Sequence, residues 1–488
     1  MPSMSRQEFL ADFVYSVRKQ FNVNGTPASW AQGSKPAHRF WGDEDSAIGI
    51  AYSSHDHTNH HYAVSCDAKL VAVCGGLNVS IYDIATQERR AQFWCPENSS
   101  PRMRFHDLSR EGGGYLVIVA TSDRGGFNDK LNFLELNSDG SMSIDRANLM
   151  DAPSLVDESL APIVSQITRT HGPMDSVIQP LLHTLRENYT KALQDLQGSL
   201  LFASVPHVDG KLCGSRDSSS RGKHFLYVTN NHGLQRGGRP LAELPEIVVY
   251  DYALKSTKFV LAGHGGYIVW TSFSPDGRYI ASASHEGTCR IFDSTTGDCR
   301  HKVDLMDGQC SSGAWSPDSQ HIAICGKDKR IATETGVAAS LLVTVVISVE
   351  TGKQVASFDH GDPSSRHSSI AWSSRNDIAI TQDTDIYFWD PFSDNTMHSF
   401  SIDVEGRMLK TYAGFSQISW SADGKRLIVM CGDGTIEVWD RDANVRWRVQ
   451  RPQGLTTKRF GQGFHWLEKL QMLICLNGDG YLRSYTFE

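Results

Sequence analysis

Several things are scarce in this chain of 488 residues, and each scarcity closes off a class of function. No stretch approaches the roughly 18 consecutive apolar residues of a membrane span, so membrane insertion is not expected. The opening "MPSMSRQEFLADFVYS" lacks the apolar core of a secretory signal. No long run of one charge exists: Arg89-Arg90 and Lys327-Asp328-Lys329-Arg330 read as solvated turns. With a net charge of -8, direct nucleic-acid binding is disfavoured. The ten cysteines include no CxxC pair, and several lie in apolar runs such as "KLVAVCG" and "RLIVMCG". They read as buried reduced thiols in a cytoplasmic or nuclear protein rather than as a disulfide framework or a zinc site. GxSxG, Walker and HExxH motifs are also missing, and the glycines of "REGGGY" and "QRGGRP" lack the strand-to-helix setting that phosphate binding needs.

What is present is a repeat. Leu261 to Cys299, "LAGHGGYIVWTSFSPDGRYIASASHEGTCRIFDSTTGDC", alternates strand-like runs with turns. Ser274-Pro275-Asp276-Gly277 supplies a fixed φ and a left-handed position for a hairpin. Equivalent turns begin at Ser316, Ser373 and Ser421, giving spacings of 42, 57 and 48 from Ser274 onward. The long interval contains an inserted "KRIATETGVAA". A period of roughly 40–45 with Gly-His and Trp-Asp punctuation marks a propeller blade.

On these residues the chain resembles the WD-repeat family. Gly263-His264 matches the opening dipeptide; Trp389-Asp390 and Trp439-Asp440 match the closing one, with Tyr82-Asp83, Tyr250-Asp251 and Phe292-Asp293 as aromatic-Asp variants. The resemblance is specific over about 260–445, weaker over 60–140 and 200–260, and absent from 1–45 and about 145–197. It implies an all-β fold, a β-propeller of seven or eight blades with eight favoured, closed by an N-terminal strand. Ala47 to Tyr52, "AIGIAY", is the expected closing strand, because the last unit ends after its third strand. The first blade is "YAVSCDAKLVAVCGGLNVSIYDIATQE", the second begins at "RMRFHDLS", and the third is expected to begin with "GSLLFASVPHV".

Two segments fall outside that pattern. Residues 1–45 form an N-terminal helix (Arg6 to Phe21) and linker, ahead of a propeller over 46–488. Residues 150–197 read as a helical insertion between blades two and three, with Leu155, Leu160, Ile163, Val164 and Ile167 on one helix face. Ile178, Leu181, Leu182, Leu185, Tyr189, Leu193 and Leu196 line the other helix. That pair either packs on the propeller or binds a partner.

Chemistry has few footholds. His55, His57, His60 and His61 lie on one polar loop and are the candidates for a metal site, but nothing in sequence fixes their geometry. His264, Ser282 and the acids after second strands suggest a triad by residue type. The resemblance implies instead a structural hydrogen-bond network, with Asp328, Asp383, Asp433 and Asp479 at its turn position and Glu286 replacing Asp in the clearest repeat. Most repeats lack the His, so the network is expected to be incomplete. The motif "FRRG" of phosphoinositide-binding propellers is not matched by "ERRAQF". The Trp-Asp-x-Arg of ubiquitin-ligase receptors is not met by Trp439-Asp440-Arg441-Asp442. The reading is a non-enzymatic scaffold that uses no cofactor and docks protein or peptide partners on its loop face and helical insertion. Its rivals are an enzyme or metal-binding protein using His55 to His61, and a scaffold in a ribosome-assembly or chromatin complex.

Overall fold

A computed structural model describes residues 39–41, 61–65, 67–75, 78–86, 88–95, 102–107, 114–122, 129–142, 161, 180, 183–192, 207–212, 220–221, 223–230, 244–328, 341–360, 369–382, 385–393, 398–401, 415–431, 436–443, 445–448, 464–470, 472–476 and 482–486. Among these residues the strands form eight four-stranded antiparallel sheets, seven of them simple meanders in chain order. The first holds His61–Val64, Leu70–Gly75, Asn78–Asp83 and Arg89–Trp94. The second holds Arg102–Asp107, Tyr115–Ser122, Asp129–Leu136 and His207–Asp209. The third holds Ser220–Arg221, His224–Thr229, Glu246–Asp251 and Ser256–Leu261. The fourth runs from Ile268–Phe273 through Tyr279–Ser284 and Thr288–Asp293 to Cys299–Asp304. The fifth comprises Cys310–Trp315, His321–Asp328, Leu341–Ser348 and Gln354–Asp359. Ile370–Trp372, Ile378–Gln382, Asp385–Trp389 and His398–Ser401 make the sixth. Phe415–Trp420, Arg426–Cys431, Ile436–Asp440 and Val445–Arg448 make the seventh. The eighth takes Phe464–Leu467, Met472–Leu476 and Leu482–Thr486 from the C-terminal end and Arg39–Trp41 from the N-terminal part.

That last strand differs from the expected one. Arg39–Trp41 pairs antiparallel with Leu482, Arg483 and Ser484, within the stretch read from sequence as linker. The segment Ala47 to Tyr52 lies outside the described residues. Its apolar character was a poor guide, because the fourth strand of these sheets is the exposed one: Cys299–Asp304 and Gln354–Asp359 alternate exposed and half-buried positions. An outer strand needs backbone partners more than apolar side chains.

The opening of the third blade also differs. His207–Asp209 pairs with Lys130, Leu131 and Asn132, so it is the fourth strand of the second sheet rather than the opening of a third blade. Residues 150–197, read from sequence as a helical insertion between blades two and three, lie in chain order between the third and fourth strands of the second sheet. Residues 183–192 are α-helical, and Leu185 and Tyr189 on it are exposed. Arg6 to Phe21 lies outside the described residues.

The chain divides into two compact units. In His55–Asp209, one core joins the first two sheets, from Leu70, Ala72 and Ile81 to Val117, Val119 and Leu134. The Tyr115 hydroxyl donates to Asp67 Oδ2 at 2.7 Å between the same two sheets. In the other unit, Met1–Ser54 with Gly210–Glu488, a separate core lies between each neighbouring pair from the third sheet to the eighth. This explains the continuous apolar runs of the middle strands. Ile280, Ala281, Ser282 and Ala283 are all fully buried because the sheet is covered on both faces.

Candidate functional site

The loops that connect these strands are held by one device used repeatedly. In the turn between first and second strands, a serine hydroxyl donates to an aspartate: Ser65 to Asp67, Ser274 to Asp276, Ser316 to Asp318 and Ser421 to Asp423, at 2.5–2.7 Å. The same serine oxygens accept the N–H of Leu70, Tyr279, His321 and Arg426, which pins the start of the second strand. The residue after the aspartate is left-handed: Gly277 has φ 77° and Gly424 φ 66°, but Ala68 (61°) and Ser319 (64°) carry side chains there. In the sixth sheet the turn is one residue shorter, with Ser373 donating to Asp377 and Asn376 taking the left-handed position (70°).

A second aspartate caps the turn between third and fourth strands. Asp440 Oδ1 accepts from the N–H groups of Asp442 and Ala443, and Asp390 Oδ1 from that of Phe392. Asp83, Asp251 and Asp293 do the same in their sheets. The aromatic before it packs inward: Trp439 lies 4.5 Å from Phe388 between ring centroids, and Trp389 lies 5.8 Å from Phe358.

At the opposite end of the fourth sheet sits the residue set that resembles a triad. His264 is 1% exposed and Ser282 is fully buried. His264 Nε2 lies 2.7 Å from Ser282 Oγ, and Nδ1 lies 2.7 Å from Glu286 Oε1. Thr288 Oγ1 donates to the same carboxylate at 2.6 Å, and the Gly265 N–H donates to Oε2 at 2.8 Å. Burial works against a charged Glu286, but the bonds from His264, Thr288 and Gly265 outweigh it and bring the carboxyl down to about 2. Burial also lowers the His264 pKa. An ionised Glu286 only accepts, so the neutral ring carries its proton on Nδ1 and donates it to that carboxylate, while Nε2 accepts the hydrogen bond donated by the Ser282 hydroxyl.

This arrangement has the connectivity of a nucleophile, base and orienting acid. It lacks access, since a serine with no exposed surface cannot meet a substrate. Its physical effect is to fix the loop 263–267 against the turn 285–287, helped by Arg290 Nη2 donating to Gly263 O at 2.6 Å. Asp328 acts on the next loop in the same way, accepting the Asp307 N–H at 3.2 Å. Glu286 thus reaches where the pattern has Asp, and the longer side chain leaves this copy connected rather than broken. Asp383, Asp433 and Asp479 lie outside the described residues. So do His55, His57 and His60, while His61 starts the first strand of the first sheet.

Sequence reasoning missed two features. The weakly patterned first sheet carries the full serine–aspartate turn at Ser65 and Asp67, legible as "SCDAK" once the geometry is known. A second buried histidine, His360, meets Thr344 Oγ1 at 3.0 Å, and burial pushes it down to about 4. No grouping of three or more metal-ligating side chains occurs among the described residues, and no helix among them is long and apolar enough to cross a membrane.

Comparison with known proteins gives this geometry its context. Residues 255–293 and 406–440 match the family described as "WD domain, G-beta repeat". The chain is 22% identical to WD repeat-containing protein 1 of Xenopus tropicalis over 278 residues, 50% of this chain and 43% of that protein. It is 26% identical to WD repeat-containing protein 26 homolog of Arabidopsis thaliana over 41% of this chain and 31% of that one. Small ribosomal subunit protein RACK1y of Oryza sativa subsp. japonica is 27% identical over 36% of this chain and 48% of its own length. The matched region spans less than half of each relative.

Proposed function

We propose that this chain, a member of the WD-repeat family, is a non-enzymatic platform that docks protein or peptide partners. The observation that carries this reading is where the recurring polar side chains go. The serine–aspartate turns, the aspartate caps and the His264–Ser282–Glu286 set are spent on holding loops still, and a rigid sheet frame that presents ordered loops suits recognition. In this reading the eight sheets are the blades of one propeller, with Arg39–Trp41 as the closing strand. The loops that follow fourth strands form one docking face, and the insertion inside the second sheet forms another. The chain works in the cytoplasm or nucleus as a subunit of a larger complex.

Affinity purification of the tagged full chain, followed by mass spectrometry, tests the platform. A stable, reproducible set of partners is expected; their absence overturns it. Deleting residues 150–197 tests the second surface, since an unchanged partner set removes the insertion from the reading.

One relative favours a second reading. RACK1y is named as a small ribosomal subunit protein, so a scaffold in a nucleic-acid-associated assembly follows by analogy. Salt-dependent retention on RNA would favour it.

A further inference from the structure

The closing turns of the sixth and seventh sheets, each between third and fourth strands, differ at two positions. Trp439-Asp440-Arg441-Asp442 in the seventh becomes Trp389-Asp390-Pro391-Phe392 in the sixth. In the seventh, the Arg441 guanidinium sits 5.4 Å from the centre of the Trp420 ring. It also donates at 2.7 Å to Asp377, the acid of the sixth sheet's opening turn. In the sixth, Pro391 supplies no cation. Phe392 instead stacks on Trp372, which ends the first strand as Trp420 does in the seventh, with ring centres 6.4 Å apart and planes at 30°. The Phe392 ring also lies 4.7 Å from that of His321 in the fifth sheet, yet Phe392 is 53% exposed.

This exchange leaves two acids without a base. Among the aspartates that hold the turns described above, Asp67, Asp83, Asp251, Asp276, Asp377 and Asp440 each have a lysine or arginine at 2.7–3.7 Å. Arg300 and Lys258 act on Asp293, and Arg426 and Arg375 on Asp423. The exceptions are Asp318, in the opening turn of the fifth sheet, and Asp390, in the closing turn of the sixth. Asp318 accepts from the Ser316 hydroxyl and the Gln320 N–H, and Asp390 from the Phe392 N–H. Both stand beside the exposed ring: Asp390 is two residues before Phe392, and Asp318 acts on the His321 ring that Phe392 touches. Burial lowers the His321 pKa, so that ring is not a cation at neutral pH. Arg375 is committed to Asp442, and Glu350 and Lys353 of the fifth sheet's closing turn cancel in charge.

We propose that Phe392, with Asp318 and Asp390 beside it, is a docking point for an arginine side chain carried by an extended segment of another protein. This inference rests on the platform reading and names one of its surfaces. A guanidinium lies flat on an aromatic face and forks toward a carboxylate, and Arg441 shows the pairing of ring and acid one seam further on. Two carboxylates without a base complement such a cation. A purely apolar partner covers Phe392 but leaves both acids facing it, and a nucleic acid or anionic bilayer is repelled by them.

The test uses the full chain and a fluorescent ten-residue peptide alternating arginine with glycine. Fluorescence anisotropy should show binding that weakens with added salt. It should fall at least three-fold in F392A and in D318N, each checked for an unchanged melting temperature. D318N keeps an acceptor for the Ser316 hydroxyl, so it removes charge without removing the turn. D304N takes one negative charge from the outer strand of the fourth sheet and should leave binding as it was. The same peptide with citrulline for arginine should not bind, and one with lysine should bind more weakly. Absence of binding, an equal loss in D304N, undiminished binding by F392A or D318N, or equal binding of the citrulline or lysine peptide overturns the proposal. So does tighter binding of a leucine–glycine peptide than of the arginine one. If F392A and D318N keep every partner of the wild-type chain in affinity purification, this docking point is excluded while the platform reading stands.

Discussion

Arg375 and Asp442, 67 residues apart, meet as a two-pronged pair, Nη1 to Oδ1 at 2.6 Å and Nη2 to Oδ2 at 3.1 Å. The first belongs to the opening turn of the sixth sheet and the second to the closing turn of the seventh. A reciprocal bond runs from Arg441 Nη1 to Asp377 Oδ1 at 2.7 Å, so two neighbouring turns are clamped by crossed ion pairs. The two pairs differ in setting: Arg375 and Asp442 are open to water, whereas the Asp377 side chain is only 13% exposed.

That difference sets the first expectation. A double-mutant cycle on Arg441 and Asp377 should give a coupling of about 1 kcal/mol in chemical unfolding, little reduced by salt. The same cycle on Arg375 and Asp442 should give a smaller coupling that salt abolishes. Equal values for both would show that burial is not what separates them.

Backbone strain gives a second. Ala68 occupies the left-handed position that Gly277 and Gly424 fill elsewhere. A68G should stabilise the chain by about 0.5–1 kcal/mol, since the strain relieved exceeds the entropy added to the unfolded state. G277A should cost about 1–2 kcal/mol by the same logic. Unfolding midpoints at constant denaturant slope would register both.

Removing the ring of His264 leaves Ser282 buried without its acceptor and Glu286 without its strongest donor. H264A should therefore destabilise by about 2–4 kcal/mol. E286D should cost much less if the shorter acid can still reach the ring. Amide exchange at 263–267 should rise in H264A beyond the global effect, because that loop is what the network holds.

Acid should weaken the fold in two windows. Burial lowers the pKa of His360 to about 4 against an ordinary 6.5, so the unfolded chain takes up that proton first. Stability present above pH 6.5 is lost as pH falls toward 4, by up to about 3 kcal/mol from this group. Burial lowers His224, His264, His285 and His321 as well, and they act in the same direction. Glu286, brought from 4.5 down to about 2, adds a loss between those values. Melting temperature measured from pH 7 to pH 3 should fall throughout, and H360Q should flatten the upper window.

The histidine loop yields the last. Purified protein should carry less than about one-tenth equivalent of zinc or copper, since nothing in the sequence around His55, His57, His60 and His61 sets a ligand geometry. Stoichiometric metal, lost in H57A or H60A, would revive the metal-binding reading.

Much of this protein was legible in its residue order. Spacing from Ser274 to Ser421 placed the fourth to seventh sheets, because each turn needs its serine, its acid and a left-handed residue at set distances, and local hydrogen bonds depend on nothing remote. Trp-Asp and its variants marked third strands for the same reason. Tertiary structure decided everything that depends on an outer partner. Which segment completes a sheet is a matter of free backbone edges, and an outer strand of three residues such as Arg39–Trp41 or His207–Asp209 is too short to announce itself. It also decided that His264 and Ser282 are buried while bonded to each other and to Glu286. The residue types and their connectivity are those of a catalyst; only the packing of sheet on sheet, which leaves Ser282 without surface, removes the chemistry.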